Sequence, residues 1–231
     1  MDALASPLRR AVLLGALLGA HVLHARARPL PASVRSADGR WQLDADEAAV
    51  RVQQLDGPLR REFPALSLDA RESGRPAALL ALPGRRSFVV AFDGLPELWE
   101  IPLDPRAEPI FDGYVHDYRM GEAIARPGFL GVRRTRLQQP LHALAGDGAY
   151  VLGRAADEPA ERGATAPRAR LALVHLDVRR PIARFALDAD PDLARAYALD
   201  EEGRRLLVVP DRHGGPPLRL DLREASLLPP R

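Results

Sequence analysis

An all-β fold is predicted by three features of the chain. Its apolar runs are short and are separated by turns carrying Gly, Pro and Asp, as in Asp56-Gly57-Pro58 and Pro83-Gly84-Arg85-Arg86. Several runs alternate apolar with polar residues, the period of a half-buried strand, as in Arg170-Leu171-Ala172-Leu173-Val174-His175-Leu176-Asp177. Past residue 27 no long stretch keeps the 3.6-residue period of an amphipathic helix.

Residues 1–27 read as an export signal. Arg9 and Arg10 form a basic start, Ala11–Leu23 an apolar core, and Ala25-Arg26-Ala27 the small-x-small pattern that a signal peptidase cleaves. The core falls short of the roughly 20 residues that span a bilayer. The expected mature chain, residues 28–231, is a single domain of about 200 residues, large enough for a real core, periplasmic or secreted and held by no membrane after cleavage. The arginine pair fits ordinary secretion and, loosely, the twin-arginine route.

Leu30–Arg40 reads as a lead-in. Val50–Leu55 and Leu59–Phe63 flank Asp56-Gly57-Pro58 as a hairpin. Ala77–Leu82 and Ser87–Phe92 flank the Pro83–Arg86 turn, and Glu97–Leu103 follows Asp93-Gly94-Leu95-Pro96. Ala149–Gly153 and Leu171–Leu176 enclose a Pro-, Gly- and charge-rich excursion, Glu158–Arg168. Pro181–Leu187 and Arg204–Pro210 complete the set.

These strands recur as a unit. Leu82–Asp104, Ala149–Asp188 and Ala196–Leu222 each carry an apolar strand followed by one that ends in Leu-Asp or Asp-Leu. Leu176–Ala183 and Leu220–Ala225 read as the same corner between a third and a fourth strand. A spacing near 40 to 45 residues is that of a four-stranded propeller blade. The prediction is a β-propeller of about four to five blades. Three arrangements satisfy it: a truncated product, a small closed ring, or half of a ring completed by a second copy or another protein.

Composition excludes several functions. The chain has 33 basic and 31 acidic residues, a net charge of +2 and no lysine. Arg9, Arg10, Arg26 and Asp2 belong to the signal, which leaves the mature part neutral, without the basic stripe that nucleic acid requires. With no cysteine there is no disulfide, thiolate metal site or covalently attached c-type haem. No Gly-x-Ser-x-Gly elbow, His-Glu-x-x-His zinc motif or phosphate-binding glycine loop occurs.

The most distinctive stretch is Ser87–Leu137, SFVVAFDGLPELWEIPLDPRAEPIFDGYVHDYRMGEAIARPGFLGVRRTRL. After its strand pair it enters a polar-aromatic loop that holds His116, Asp117, Tyr118, Arg119, Met120 and Glu122. In Trp99-Glu100-Ile101, Ala107-Glu108-Pro109-Ile110 and Val115–Glu122 it resembles the cytochrome d1-type β-propellers. That family's rings have eight blades, so this chain covers about half of one.

The resemblance implies haem d1 or a related tetrapyrrole as cofactor, with a propeller side chain on the iron. His116 is the candidate metal ligand, with Tyr118, Arg119, Met120 and Arg134 as further cofactor-binding candidates. His116, Tyr118 and Met120 alternate, which in extended backbone places them on one side; the other reading is that they tie the loop to its blade. Because haem d1 carries carboxylates and Arg forks pair with them, Arg119, Arg126, Arg133, Arg134 and Arg136 form a second candidate set. His142 has no distinguishing context; His175 reads as a strand residue and His213 as a rim residue. Asp112, Asp117 and Glu122 would serve acid–base work or simply a solvated face. The expected function is an exported d1-like propeller acting in respiration or cofactor maturation, with an exported redox or ring-completing protein or a second copy as partner. The alternative is a cofactor-free propeller that binds other exported proteins.

Overall fold

Sixteen strands form wherever the chain offers a short apolar or alternating run bounded by turn residues. The computed structural model describes residues 33–111, 125–155 and 169–229. They fold into four antiparallel sheets of four strands each, every sheet in chain order. Blade 1 is β1 (Ser33–Arg35), β2 (Trp41–Ala45), β3 (Ala49–Gln54) and β4 (Arg60–Pro64). Blade 2 is β5 (Arg75–Leu82), β6 (Ser87–Asp93), β7 (Glu97–Pro102) and β8 (Arg133–Arg136). Blade 3 is β9 (Leu141–Asp147), β10 (Tyr150–Ala155), β11 (Ala169–His175) and β12 (Arg180–Leu187). Blade 4 is β13 (Tyr197–Glu201), β14 (Arg204–Val209), β15 (Leu218–Asp221) and β16 (Ser226–Leu228). This is an arc of propeller blades. The first strands touch in succession, β1 on β5 and β5 on β9 on β13, so they lie innermost and the fourth strands outermost.

Three apolar layers join the four blades. Leu43, Val50 and Val52 of blade 1 meet Phe88, Val90, Trp99 and Ile101 of blade 2. The opposite face of blade 2, with Leu82, Val89, Ala91 and Leu98, meets Leu141, Val151 and Val174. Leu152, Leu171 and Leu173 then meet Leu207, Val209 and Leu220 of blade 4. Strand β6 is packed on both faces, and its run Ser87-Phe88-Val89-Val90-Ala91-Phe92 is buried throughout, as expected of a strand with a layer on either side.

The repeated corner found in the sequence has a backbone cause. At the end of each third strand a leucine N–H donates to a carbonyl at the start of the second strand, from the residue just ahead of it in blades 1 to 3 and from its second residue in blade 4. The pairs are Leu55 to Arg40 (2.9 Å), Leu103 to Arg86 (2.8 Å), Leu176 to Ala149 (2.8 Å) and Leu222 to Arg205 (3.0 Å). The leucine is therefore the fixed element of the Leu-Asp signature, and the aspartate varies.

Two readings are corrected. Leu30–Arg40 is more than a lead-in, because Ser33–Arg35 is β1, paired with β2 through Val34 opposite Leu43; three residues with one apolar side chain carry too little pattern to be seen. Arg133–Arg136 is not part of a loop cluster. It is β8, which pairs with β7 through Trp99–Arg134 and Glu100–Arg133. The signal segment, residues 1–27, and the excursion Glu158–Arg168 lie outside the described residues, apart from the excursion's flanking strands. No described helix is long and apolar enough to cross a membrane.

Candidate functional site

The distinctive loop leaves and re-enters the arc between β7 and β8, the outer pair of blade 2. Its base is closed by a two-residue bridge in which Ile110 and Arg126 exchange N–H···O bonds of 2.9 Å each. Below the bridge the Leu130 N–H donates to Pro102 O at 2.9 Å, and Ile110 and Leu130 are buried. Gly128 is packed so closely that a Cβ there would lie 2.0 Å from Glu108 O, a separation no side chain tolerates. Phe129 meets the Trp41 ring of blade 1 edge-on at 5.7 Å. The neck is thus rigidly seated on the outer rim, at the end of the arc that also carries the turns between first and second strands.

His116, Tyr118, Arg119 and Met120 lie outside the described residues, as do Asp112, Asp117 and Glu122. Of the cofactor-binding candidates His116, Tyr118, Arg119, Met120 and Arg134, Arg134 alone is among the described residues. Its side chain lies on the face of β8 turned to blade 1, with Nη1 donating to Glu97 Oε2 at 2.7 Å and to Leu66 O at 2.8 Å. The guanidinium sits 4.3 Å from the centroid of Trp99. Trp99 in turn donates from Nε1 to Glu97 Oε2 at 2.8 Å and packs on Phe92 at 4.5 Å. Glu97 and Trp99, two apart on β7, share a face, so one buried carboxylate collects both donors. Sequence reasoning missed Glu97; the Glu-x-Trp alternation was the available signal.

The arginine set is divided by β8. Arg134 and Arg136 lie on the blade 1 side, opposite Trp99 and Glu97, whereas Arg133 lies opposite Glu100 on the other face. There Arg85 grips Glu100 through Nε at 2.5 Å and Nη2 at 3.3 Å, and reaches Asp177 of blade 3 at 2.6 Å. Burial alone would lower the Arg85 pKa; the Glu100 and Asp177 carboxylates outweigh it and hold the guanidinium above its ordinary value. Arg133 approaches Glu100 at 3.9 Å and donates to Glu108 O at 3.1 Å. Arg126 lies in the bridge at the neck.

A second polar centre occupies the opposite end, between blades 3 and 4. Arg154 bonds Asp190, an interaction that holds the Asp190 carboxyl below its ordinary pKa. Asp211 accepts the N–H groups of His213 (2.8 Å), Asp190 (2.9 Å) and Gly215 (3.2 Å), and the His213 and Asp190 bonds depress its pKa. His213 is 70% exposed, with Nε2 3.5 Å from Asp190. His175 is on β11, its ring 4.7 Å from Tyr150 and its Nδ1 accepting the Asp177 N–H at 3.3 Å. His142 is on β9. Among the described residues no His, Cys, Asp and Glu side chains group as a metal site.

An arc of four antiparallel four-stranded blades defines a partial β-propeller. No protein-family model matches the sequence, and no curated protein matches it. Among solved structures, the chain is similar to dihydro-haem d1 dehydrogenase NirN in complex with DHE, with a TM-score of 0.58 and 23% identity over 85% of this chain and 36% of that one. It is also similar to apo AztD from Citrobacter koseri, at a TM-score of 0.48 and 11% identity over 85% of this chain and 44% of that one. A third similar structure is the Dos1 propeller, at 0.47 and 13% over 84% of this chain and 45% of that one. The chain spans less than half the length of each of these three.

Proposed function

We propose that this chain is an exported d1-type propeller protein that binds haem d1 or a related tetrapyrrole, with His116 as the iron ligand. The observation that carries the reading is the likeness to NirN, joined to a His-x-Tyr-x-Met alternation in a loop whose neck is fixed to the arc. Any bound group is held without covalent attachment, since the chain has no cysteine. His, Tyr and Met are all competent on haem iron, and Arg pairs with haem carboxylates. Arg119 is the loop's candidate for that pairing. Arg134 is committed to Glu97, which supports a part in holding blades 1 and 2 rather than the cofactor.

The test is an absorption titration of the mature protein with haem d1, beside His116→Ala. A ligated spectrum that is lost or shifted in the variant supports the reading; no uptake by the unsubstituted protein removes it. A second reading is a propeller that acts by binding another exported protein. A pull-down from a periplasmic extract that recovers one stoichiometric partner without haem supports this reading.

A further inference from the structure

A cleft of about 210 Å³ opens between blades 1 and 2 on the outer rim, beside the neck of the loop. Its apolar wall is Phe63, Ile110, Phe129, Leu130 and Val132. Ile110 and Leu130 are buried, whereas Phe63, Phe129 and Val132 are partly open to solvent. Arg61 enters from blade 1, on the face it shares with Val52 and Leu43, and Arg126 enters from the neck. Among the described residues no carboxylate lines the cleft; Arg134, which also lines it, is paired with Glu97.

Arg61 and Arg126 differ from the paired arginines of this chain, and they are set apart from the other unpaired ones by sharing an apolar cleft. Arg51, Arg75, Arg85, Arg134, Arg205 and Arg219 all hold carboxylates. Among the described residues Arg61 and Arg126 make no side-chain hydrogen bond or ion pair. Two unneutralised guanidiniums beside an aromatic wall attract a body that is apolar and anionic at once. Arg forks recognise carboxylates in two-bond geometry and also stack on flat rings. A cavity of roughly 150 Å³ lined by apolar side chains accepts benzene, so this cleft has room for one ring and a short acidic arm.

We infer that this cleft binds a small aromatic carboxylate, its ring between Phe63 and Phe129 and its carboxylate between Arg61 and Arg126. The site is separate from the His116 reading and does not depend on it. The probe is 3-phenylpropanoate, titrated into ¹⁵N-labelled protein and followed at the Phe129, Leu130 and Gly131 amides, with 3-phenylpropan-1-ol as the uncharged control. Saturable shifts are expected for the acid, with the alcohol at least ten-fold weaker. Arg61→Gln and Arg126→Gln should each weaken the acid about ten-fold, the low end for a bond to a charged group because both side chains are exposed. Neither substitution removes a packed or paired group, so the folded state is retained, which Trp41 and Trp99 fluorescence verifies. Absence of saturation, equal affinity for the alcohol, or unchanged affinity in the two variants would each overturn the inference.

Discussion

Truncating Arg134 separates a structural arginine from a ligand-facing one. Its guanidinium and the Glu97 carboxylate are 16% and 9% exposed and 2.7 Å apart. Removing one member of such a buried pair leaves the other charge unpaired, at a cost of about 3–5 kcal/mol. In Arg134→Ala, Leu66 O also loses its donor and Trp99 its stacked cation, which places the expected cost in the upper half of that range. For a domain of this size each kcal/mol moves the melting temperature by about 2–4 °C, so a fall of at least about 8 °C is expected. Glu97→Gln is milder. The amide still accepts from Trp99, and losing the charge-assisted part of the bond costs about 1–2 kcal/mol. The double variant should fall short of the sum by at least about 1 kcal/mol, because the two side chains are in direct contact. Urea titrations followed by tryptophan fluorescence measure all three, since one of the two tryptophans, Trp99, belongs to the cluster. A cost below about 1 kcal/mol for Arg134→Ala, with additive behaviour in the double variant, would refute the clamp and return Arg134 to the cofactor candidates.

Three further outcomes follow from the same structure. Phe92→Ala removes a fully buried ring packed on Trp99 and should cost about 3–5 kcal/mol in the same titration. Ala225→Gly should raise stability by about 1 kcal/mol, because Ala225 holds φ at +50°, a conformation that strains any residue with a Cβ; no rise in melting temperature would show that the corner carries no strain. The depressed pKa values of Asp190 and Asp211 make stability pH-dependent with a fixed sign. Each carboxyl is ionised more readily folded than unfolded, so its contribution is complete above the ordinary carboxylate range near pH 4 and is lost as pH falls through the lower folded value. Urea midpoints should therefore drop below about pH 4, and Asp211→Asn should flatten that limb.

How much was legible depends on where a strand sits in its blade. The middle strands were readable because burial on one or two faces writes an apolar pattern, as in β6 and β11. The outer β8 was not. Its Arg-Arg-Thr-Arg run sends Arg134 to Glu97 on one face and Arg133 toward Glu100 on the other, so a strand whose packed positions hold ion-paired arginines has no apolar period. The same alternation divides the arginines of the second candidate set. Arg119, Arg126, Arg133, Arg134 and Arg136 read as one set around the loop, but a strand throws successive side chains to opposite faces, so Arg134 and Arg133 part to Glu97 and Glu100. Arg61, now the more interesting cation, gave no signal at all, since its importance lies in lacking a partner.

The flank of blade 1 turned away from blade 2 is polar, unlike the faces that join the four blades. By register, Ser33, Asp44, Arg51 and Glu62 form one row across that face, and Arg35, Gln42, Gln53 and Arg60 the next. Every position is polar. The rows satisfy one another: Arg35 Nε donates to Gln42 at 3.2 Å, Gln42 and Gln53 donate to Asp44 at 2.7 and 3.2 Å, and Arg51 holds Glu62 at 2.9 Å. An apolar blade laid on this face would bury that network without adding a partner to it, at a desolvation cost that packing does not recover. Strand β14, by contrast, has Leu206, Leu207, Val208 and Val209 all buried, the pattern of a strand packed on both sides. The eight positions of this flank are exposed or partly exposed, and the flank faces water in this structure. Because the chain has no cysteine, Gln53→Cys places a single thiol on that flank and Val208→Cys one in β14. A thiol reagent should label the first within the time of mixing and the second only as fast as the blade opens. Slow labelling at Gln53→Cys that speeds up on dilution would show a second copy covering the flank and would reverse the assignment.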